Sequence, residues 1–199
     1  YNTLLRTLKR EGLLQKLGRT DRRKRFETGE INELWLCDFM HGPPVRVERS
    51  TRKAILCAVI DDHSRLIVGH AFSAHETVSA LTVVLKEAFL AHGVPKRFYV
   101  DNGSAFSSGL LLKACAQAGV SLIHSKPYDS PSRGKIERYF RTVRDRFLPG
   151  IRGIVTLDEL NLAFDCWLRD DYHHRIHSGI APRPVDRYHA SAGRVEIRR

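Results

Sequence analysis

Three short apolar runs succeed one another before any helical periodicity appears: 34–40 (LWLCDFM), 53–60 (KAILCAVI) and 65–72 (RLIVGHAF). They are rich in β-branched and aromatic residues, and Asp61-Asp62-His63-Ser64 between the last two has turn composition. Three strands are expected, the second and third joined as a hairpin. A small sheet must bury its faces against other elements, so the residues after Phe72 decide the fold class.

From Phe72 onward helices and strands alternate. Val78, Leu81, Leu85, Ala88 and Phe89 share a helical face, with Ser73 and Glu76 spaced as a capping box before them and Gly93 after. RFYV at 97–100 predicts a fourth strand, 107–118 a helix stopped by Gly119, and VSLIH at 120–124 a fifth strand. Pro127, Pro131 and Gly134 predict a loop over 125–134. A long helix comes next, with the stripe Ile136, Phe140, Val143 and Phe147, then a last one opened by the capping box Thr156 and Glu159. The order βββαβαβαα predicts an α/β fold, a mixed five-stranded sheet flanked by helices. With 199 residues the chain holds one main domain and an appendage. It has no signal-peptide pattern and no apolar run near the roughly 18 residues of a membrane span.

Two aspartates stand where a carboxylate is costly to place. Asp38 lies between Cys37 and Phe39 in the first strand, where burial without a partner is penalised. Asp101 ends the fourth strand and precedes Asn102-Gly103, at the carboxyl end of a strand, the usual ligand position in α/β sheets. Glu137 lies one residue past Ile136, about 100° round the helix from the apolar stripe. Arg133, Arg141 and Arg144 lie on the same side, so by helix geometry Glu137 is either half of an i,i+4 pair with Arg141 or a ligand at the rim of the core. Phosphoryl transfer on nucleic acid uses two divalent metals held by converging hard oxygen donors, which three such acids would supply.

The net charge of +11 is concentrated. Residues 1–25 carry +7 and residues 126–152 carry +5, leaving the rest near neutral. Two local basic surfaces point to a polyanionic partner, with a solubility tail or a membrane-surface contact as the lesser alternative for 1–25 alone. The second group, Lys126, Arg133, Lys135, Arg138, Arg141, Arg144 and Arg146, surrounds Glu137 and is the expected DNA contact. Tyr128 in the same segment suits stacking on an unpaired base or simple packing.

Four ordered blocks carry a family resemblance: NELWLCD (32–38), VIDDHSR (59–65), VDNG (100–103) and SPSRGKIE (130–137), with 35 residues between Asp101 and Glu137. In them the chain resembles the retroviral-integrase-like DDE transposases, in particular bacterial insertion-sequence transposases, over about residues 31–190. The resemblance implies a ribonuclease-H-like fold, and two Mg²⁺ or Mn²⁺ ions held by Asp38, Asp101 and Glu137. It implies two reactions at one site: water cleaves a phosphodiester at the element's end, and the freed 3′-hydroxyl attacks target DNA. It further implies double-stranded DNA as partner, a homo-oligomeric synaptic complex, and a cytoplasmic, nucleoid-associated bacterial protein. A nuclease limited to hydrolysis and a non-catalytic DNA-binding remnant are the alternatives.

Other features are read conservatively. Asp61 and Asp62 are turn residues rather than a rival acidic pair. His173, His174 and His177 lack a partner spaced for zinc and are read as a DNA contact or a satisfied surface cluster. Cys37, Cys57, Cys115 and Cys166 form no CxxC pair and are expected as free thiols in a reducing compartment. No paired His and Cys of an integrase zinc module occur in the first thirty residues. Tyr1 as the first residue and Met40 as the only methionine suggest a fragment. Residues 1–30 are then a basic arm from an upstream DNA-binding domain, 31–190 the core and 191–199 a basic tail.

Overall fold

The computed structural model describes residues 27–125, 130–153, 155–194, 197 and 198. Most of the expected basic arm, Lys126 and Tyr128 lie outside the described residues, as does the side chain of Arg133.

The sheet begins with β1 (Leu34–Val47), β2 (Ser50–Asp61) and β3 (Ile67–Ser73), an antiparallel meander. After α1 (Val78–His92), β4 (Arg97–Val100) adds to β1 in parallel, and after α2 (Gly109–Gln117), β5 (Ser121–His124) adds to β4. The order is β3-β2-β1-β4-β5, with β1 at the centre. α3 (Ser130–Thr142) continues through a π-helical turn, Val143–Phe147. Then come β6 (Val155–Thr156), α4 (Leu157–Trp167), a second π-helical turn (Leu168–Tyr172) and α5 (Pro184–Ala192).

Strand alternation divides β1 between two cores. Leu34, Leu36 and Met40 pack with Ile136, Tyr139, Phe140, Val143 and Phe147 of the α3 layer and with Leu160 and Phe164 of α4. Trp35 and Cys37 face the other way, toward Leu81, Leu85 and Ala88 of α1, Leu111 and Cys115 of α2, and Tyr188 of α5. All four residues of the predicted α3 stripe are buried. Among the described residues no helix is long and apolar enough to cross a membrane.

Several local expectations need correction. The first strand runs on past the expected 34–40 and through Gly42-Pro43-Pro44, because the register shifts between His41 and Pro44 and a bulge tolerates proline. β6 is a sixth strand, pairing with Val45 and Arg46 and too short to register in a sequence pattern. The expected loop over 125–134 ends earlier: α3 starts at Ser130 and carries Pro131 in its first turn, where proline removes no helical hydrogen bond. Thr77, not Ser73 with Glu76, caps α1, accepting from Ala80 N–H at 3.2 Å, while the Ser73 hydroxyl donates to His75 C=O. The Thr156–Glu159 capping box forms as expected. α5 is absent from the sequence reading because its only apolar stripe is Val185, Tyr188 and Ala192.

The free edge of β3 is closed by side chains. Asn161 of α4 accepts from Phe72 N–H at 2.7 Å and donates to Phe72 C=O at 3.0 Å, standing in for a neighbouring strand. His173 accepts from Ile67 N–H at 3.2 Å.

α1 can sit close on β3 because residue 69 is glycine. A Cβ there would lie 3.0 Å from Ala88 Cβ and 3.0 Å from Val84 Cγ1, so neither neighbour has room. Gly69→Val is therefore expected to overpack this contact and cost about 1–3 kcal/mol, read as a lower urea midpoint; an unchanged midpoint would refute the close approach.

Candidate active site

Asp38 has the parity of Leu36 and Met40, so it lies on the α3 face of the central strand. It is half-buried, and Phe39 N–H donates to its Oδ1 at 2.8 Å. β1 and β4 pair as Leu36↔Tyr99, and the same register carried two residues further sets Asp38 beside Asp101. Tyr99 belongs to the α3-side core, so Asp101 shares that face. The two aspartates therefore stand side by side at the carboxyl end of β4, on one face.

The turn after β4 holds Asp101 in place. Its Oδ1 accepts Gly103 N–H at 2.8 Å, its backbone C=O meets His124 Nδ1 at 3.1 Å, and Asn102 Nδ2 donates to Ser125 C=O at 2.9 Å. Phe106 N–H donates to Gly103 C=O, and the buried Phe106 ring packs against Phe39 at 5.1 Å, which ties this turn to β1. Gly103 has no space for a side chain, since a Cβ would lie 3.0 Å from Asp101 Oδ1 and 3.6 Å from Glu76 Oε1. Glu76 thus approaches the Asp101 turn, a placement hidden in the sequence by its apparent capping role.

Cys37, on the opposite face between these strands, registers both charges. Burial pushes its thiol well up, the Cys57 sulfur 3.8 Å away adds to this, and the carboxylates of Asp38 and Asp101 push in the same direction. All four cysteines are free, and all but the half-buried Cys166 are buried.

Glu137 comes directly after buried Ile136 on α3 and is exposed. The i,i+4 pair with Arg141, one of the two readings that helix geometry leaves open for Glu137, does not form among the described residues. Nor do three His, Cys, Asp or Glu side chains there stand close enough together to hold a metal. Clustered carboxylates repel one another, so a site built from Asp38, Asp101 and Glu137 would need a cation to hold it together. The donor set is oxygen only, which fits Mg²⁺ or Mn²⁺ rather than zinc.

The basic group around Glu137 divides. Arg138, Arg141 and Arg144 are exposed along α3. Lys135 instead forms an ion pair with Asp62. Arg146 pairs with Asp171 and lies 5.8 Å from the Trp167 ring centre.

Asp61 and Asp62 do sit at a turn, but they are 0% and 1% exposed, far from surface turn residues. Asp61 accepts from Asn32 N–H, Ser64 N–H and the Ser64 hydroxyl at 2.6–2.9 Å, and burial still pushes its carboxyl above the ordinary range. Asp62 accepts from Thr28 N–H at 2.9 Å and Thr28 Oγ1 at 3.2 Å besides holding Lys135. Both acids tie the segment before β1 to the fold, and Asp62 reaches α3 as well.

The histidines are bound into the structure. His173 caps Ile67, and Nδ1 of His177 accepts from Gly179 N–H at 3.0 Å. Burial, with His70, His92 and His174 nearby, pushes the His173 imidazole down to about 3.

A mixed sheet with an antiparallel meander, two parallel strands added beside its first strand and paired aspartates at their carboxyl ends defines an integrase-type core of the ribonuclease-H-like fold. A family model described as "Integrase core domain" matches residues 30–130, half of the chain, and the chain belongs to that family. The matched stretch contains Asp38 and Asp101 and stops before Glu137. The chain is 26% identical over 186 residues to the transposase for transposon Tn552 of Staphylococcus aureus, covering 83% of this chain and 39% of that protein. It thus spans about two fifths of that relative. Among solved structures it resembles the catalytic core domain of BIV integrase, with a TM-score of 0.64 and 20% identity, covering 82% of this chain and 97% of that one. The HTLV-2 integrase catalytic core domain in complex with magnesium, in its dimeric form, gives 0.57 and 18%, covering 80% and 98%.

The buried pair and the buried histidine can each be tested. Asp62→Leu removes the carboxylate that faces both the Lys135 ammonium, 13% exposed, and Arg65 Nη1 at 3.8 Å, and should cost about 3–5 kcal/mol by chemical denaturation, whereas Asp62→Leu with Lys135→Met should recover part of that loss. A double variant as unstable as the single one would show that the pair is not the source of the loss. The histidine makes stability depend on pH. His173 stays neutral in the fold while the unfolded imidazole protonates near 6.5, so stability is complete above about pH 6.5 and falls as pH drops toward 3. Roughly 1–2 kcal/mol should be lost between pH 7 and 5, and His173→Gln, which keeps an acceptor for Ile67, should flatten that slope. An unaltered slope would place the acid sensitivity elsewhere.

Proposed function

We propose that this chain is the catalytic core of a DNA transposase or integrase, cleaving element ends and transferring them into target DNA with Asp38, Asp101 and Glu137 as its metal ligands. The observation that carries the reading is the pair Asp38 and Asp101, set side by side on one face by the register of β1 and β4 within the stretch that matches the family. The magnesium of the HTLV-2 integrase core supports a divalent cation here. A bound Mg²⁺ or Mn²⁺ pair would supply charge neutralisation and an activated attacking oxygen.

The chain's own residues do the positioning. The turn from Asp101 to Phe106 fixes one aspartate, and β1, paired on both sides, fixes the other. Glu137 enters from α3, on the layer that covers their face. Arg138, Arg141 and Arg144, with Lys126 and Arg133, hold the phosphate backbone of double-stranded DNA across this site; Lys135 is engaged by Asp62 and leaves this group. Joining two ends in one event calls for a homo-oligomer, and the dimeric HTLV-2 core is consistent with one. Residues 31–190 form the core in this reading, with 1–30 and 191–199 as basic extensions.

Incubating the longest natural form of the protein with labelled DNA ends and Mn²⁺ should give joined products. Nicks without joining would reduce the assignment to a nuclease, and neither product to a DNA-binding remnant. Asp101→Asn and Glu137→Gln should each abolish joining while leaving DNA affinity within about twofold, because they remove ligands and not phosphate contacts. Strand transfer retained by Asp101→Asn would sink the assignment.

A further inference from the structure

The first hairpin is far longer than the sheet requires. β4 and β5 have four residues each, whereas β1 has 14 and β2 has 12. β1 runs parallel to β4, so beyond Asp38 it continues past the carboxyl end where Asp101 sits. The nine steps from Asp38 to Val47 correspond to about 30 Å of strand path, bent at the His41–Pro44 bulge. The hairpin therefore projects on the same end of the sheet as the paired aspartates.

Its far end is basic and anchored. Arg46, Arg49, Arg52 and Lys53 are all exposed, with Glu48 the one acid among them. That end is fixed by fully buried Val45 and by β6, which pairs with Val45 and Arg46 beside the turn. The same β6 closes the segment leading from α3, so the chain passes from Arg138, Arg141 and Arg144 to the hairpin's far end, with exposed Arg152 between. The acids near this path are Asp145, exposed on the α3 extension, and Glu159, which is engaged by Thr156 N–H at 2.8 Å.

The cations are distributed over both faces. Arg52 pairs with Val45, on the α3-side core face, while Lys53 pairs with Pro44 and Arg46 with Thr51 on the opposite face, and Arg49 is at the turn. Val45 and Ala54 are fully buried in the α3-side core, so the ribbon is covered on that face as far as Val45, and its exposed cations gather around the turn, where they suit contact with a phosphate backbone.

From this arrangement we infer that the turn of the β1–β2 hairpin is a second DNA-binding element, holding the phosphate backbone of a duplex at the end of the sheet where the paired aspartates lie. The inference rests on the proposed DNA-acting function for its partner class but not on any chemical step.

The test is a binding measurement with the Asp101→Asn chain and no added metal, so that catalysis plays no part. On a duplex of about 30 base pairs, Arg46→Gln, Arg49→Gln, Arg52→Gln and Lys53→Gln together should weaken binding by about tenfold or more at about 100 mM salt, and should flatten the dependence of log affinity on log salt by about two to four. Arg49→Glu alone should weaken binding more than Arg49→Gln, and the variants should keep the parent melting temperature, since the side chains are exposed. Unchanged affinity and slope overturn the inference, and an equal loss on single-stranded DNA of the same length overturns the duplex as its partner. A chain that binds through the hairpin yet joins no DNA refutes the catalytic reading alone; one that joins DNA with hairpin-independent binding refutes the hairpin's role alone.

Discussion

Everything in this molecule is built against β1. It is the central strand, with antiparallel β2 on one side and parallel β4 on the other, and its alternate residues feed two separate cores. A strand in that position has its main-chain groups satisfied by the sheet and its side chains committed to one layer or the other. Asp38 is the exception within it. Its carboxylate is admitted because the strand at that point passes the last residue of β4, so the α3 face opens toward the end of the sheet. The place where the core runs out is where the acids are gathered.

A different set of acids holds the site's surroundings together. Asp61 and Asp62 are deeply buried and commit their acceptor capacity to Asn32, Ser64, Thr28 and Lys135. Buried charges persist only when paired and hydrogen-bonded, and these are. Asp62 joins the segment before β1 to the start of α3, the helix that carries Glu137 two residues beyond Lys135. The geometry between Glu137 and the aspartates is thus coupled to a buried ion pair on the far side of that helix's first turns.

Much of this is legible in the sequence because it depends on local patterning. The five main strands and the helices from α1 to α4 are marked by period and by caps such as Thr156 with Glu159. Asp38 and Asp101 stand out by the cost of a carboxylate in an apolar strand and at a strand end, reasons that need no partner to be known. The failures have one origin. The first strand reads as ending at Met40, Glu76 as a cap, and Asp61 with Asp62 as turn residues with no sign of their burial, because each is judged from its neighbours in the chain. The distribution of charge along the sequence hides the hairpin for the same reason, since averaging over a segment conceals four cations brought to one tip.

The sequence by itself determined the α/β architecture, the family and the two aspartates, since hydrophobic period, turn chemistry and ordered motif blocks are properties of the chain in one dimension. Tertiary structure alone decided which charges face solvent and which are consumed inside. An ion pair such as Lys135 with Asp62 spans 73 positions, and the register that sets Asp38 beside Asp101 spans 63. Contacts of that range are fixed by sheet order and helix packing, and no local pattern encodes them.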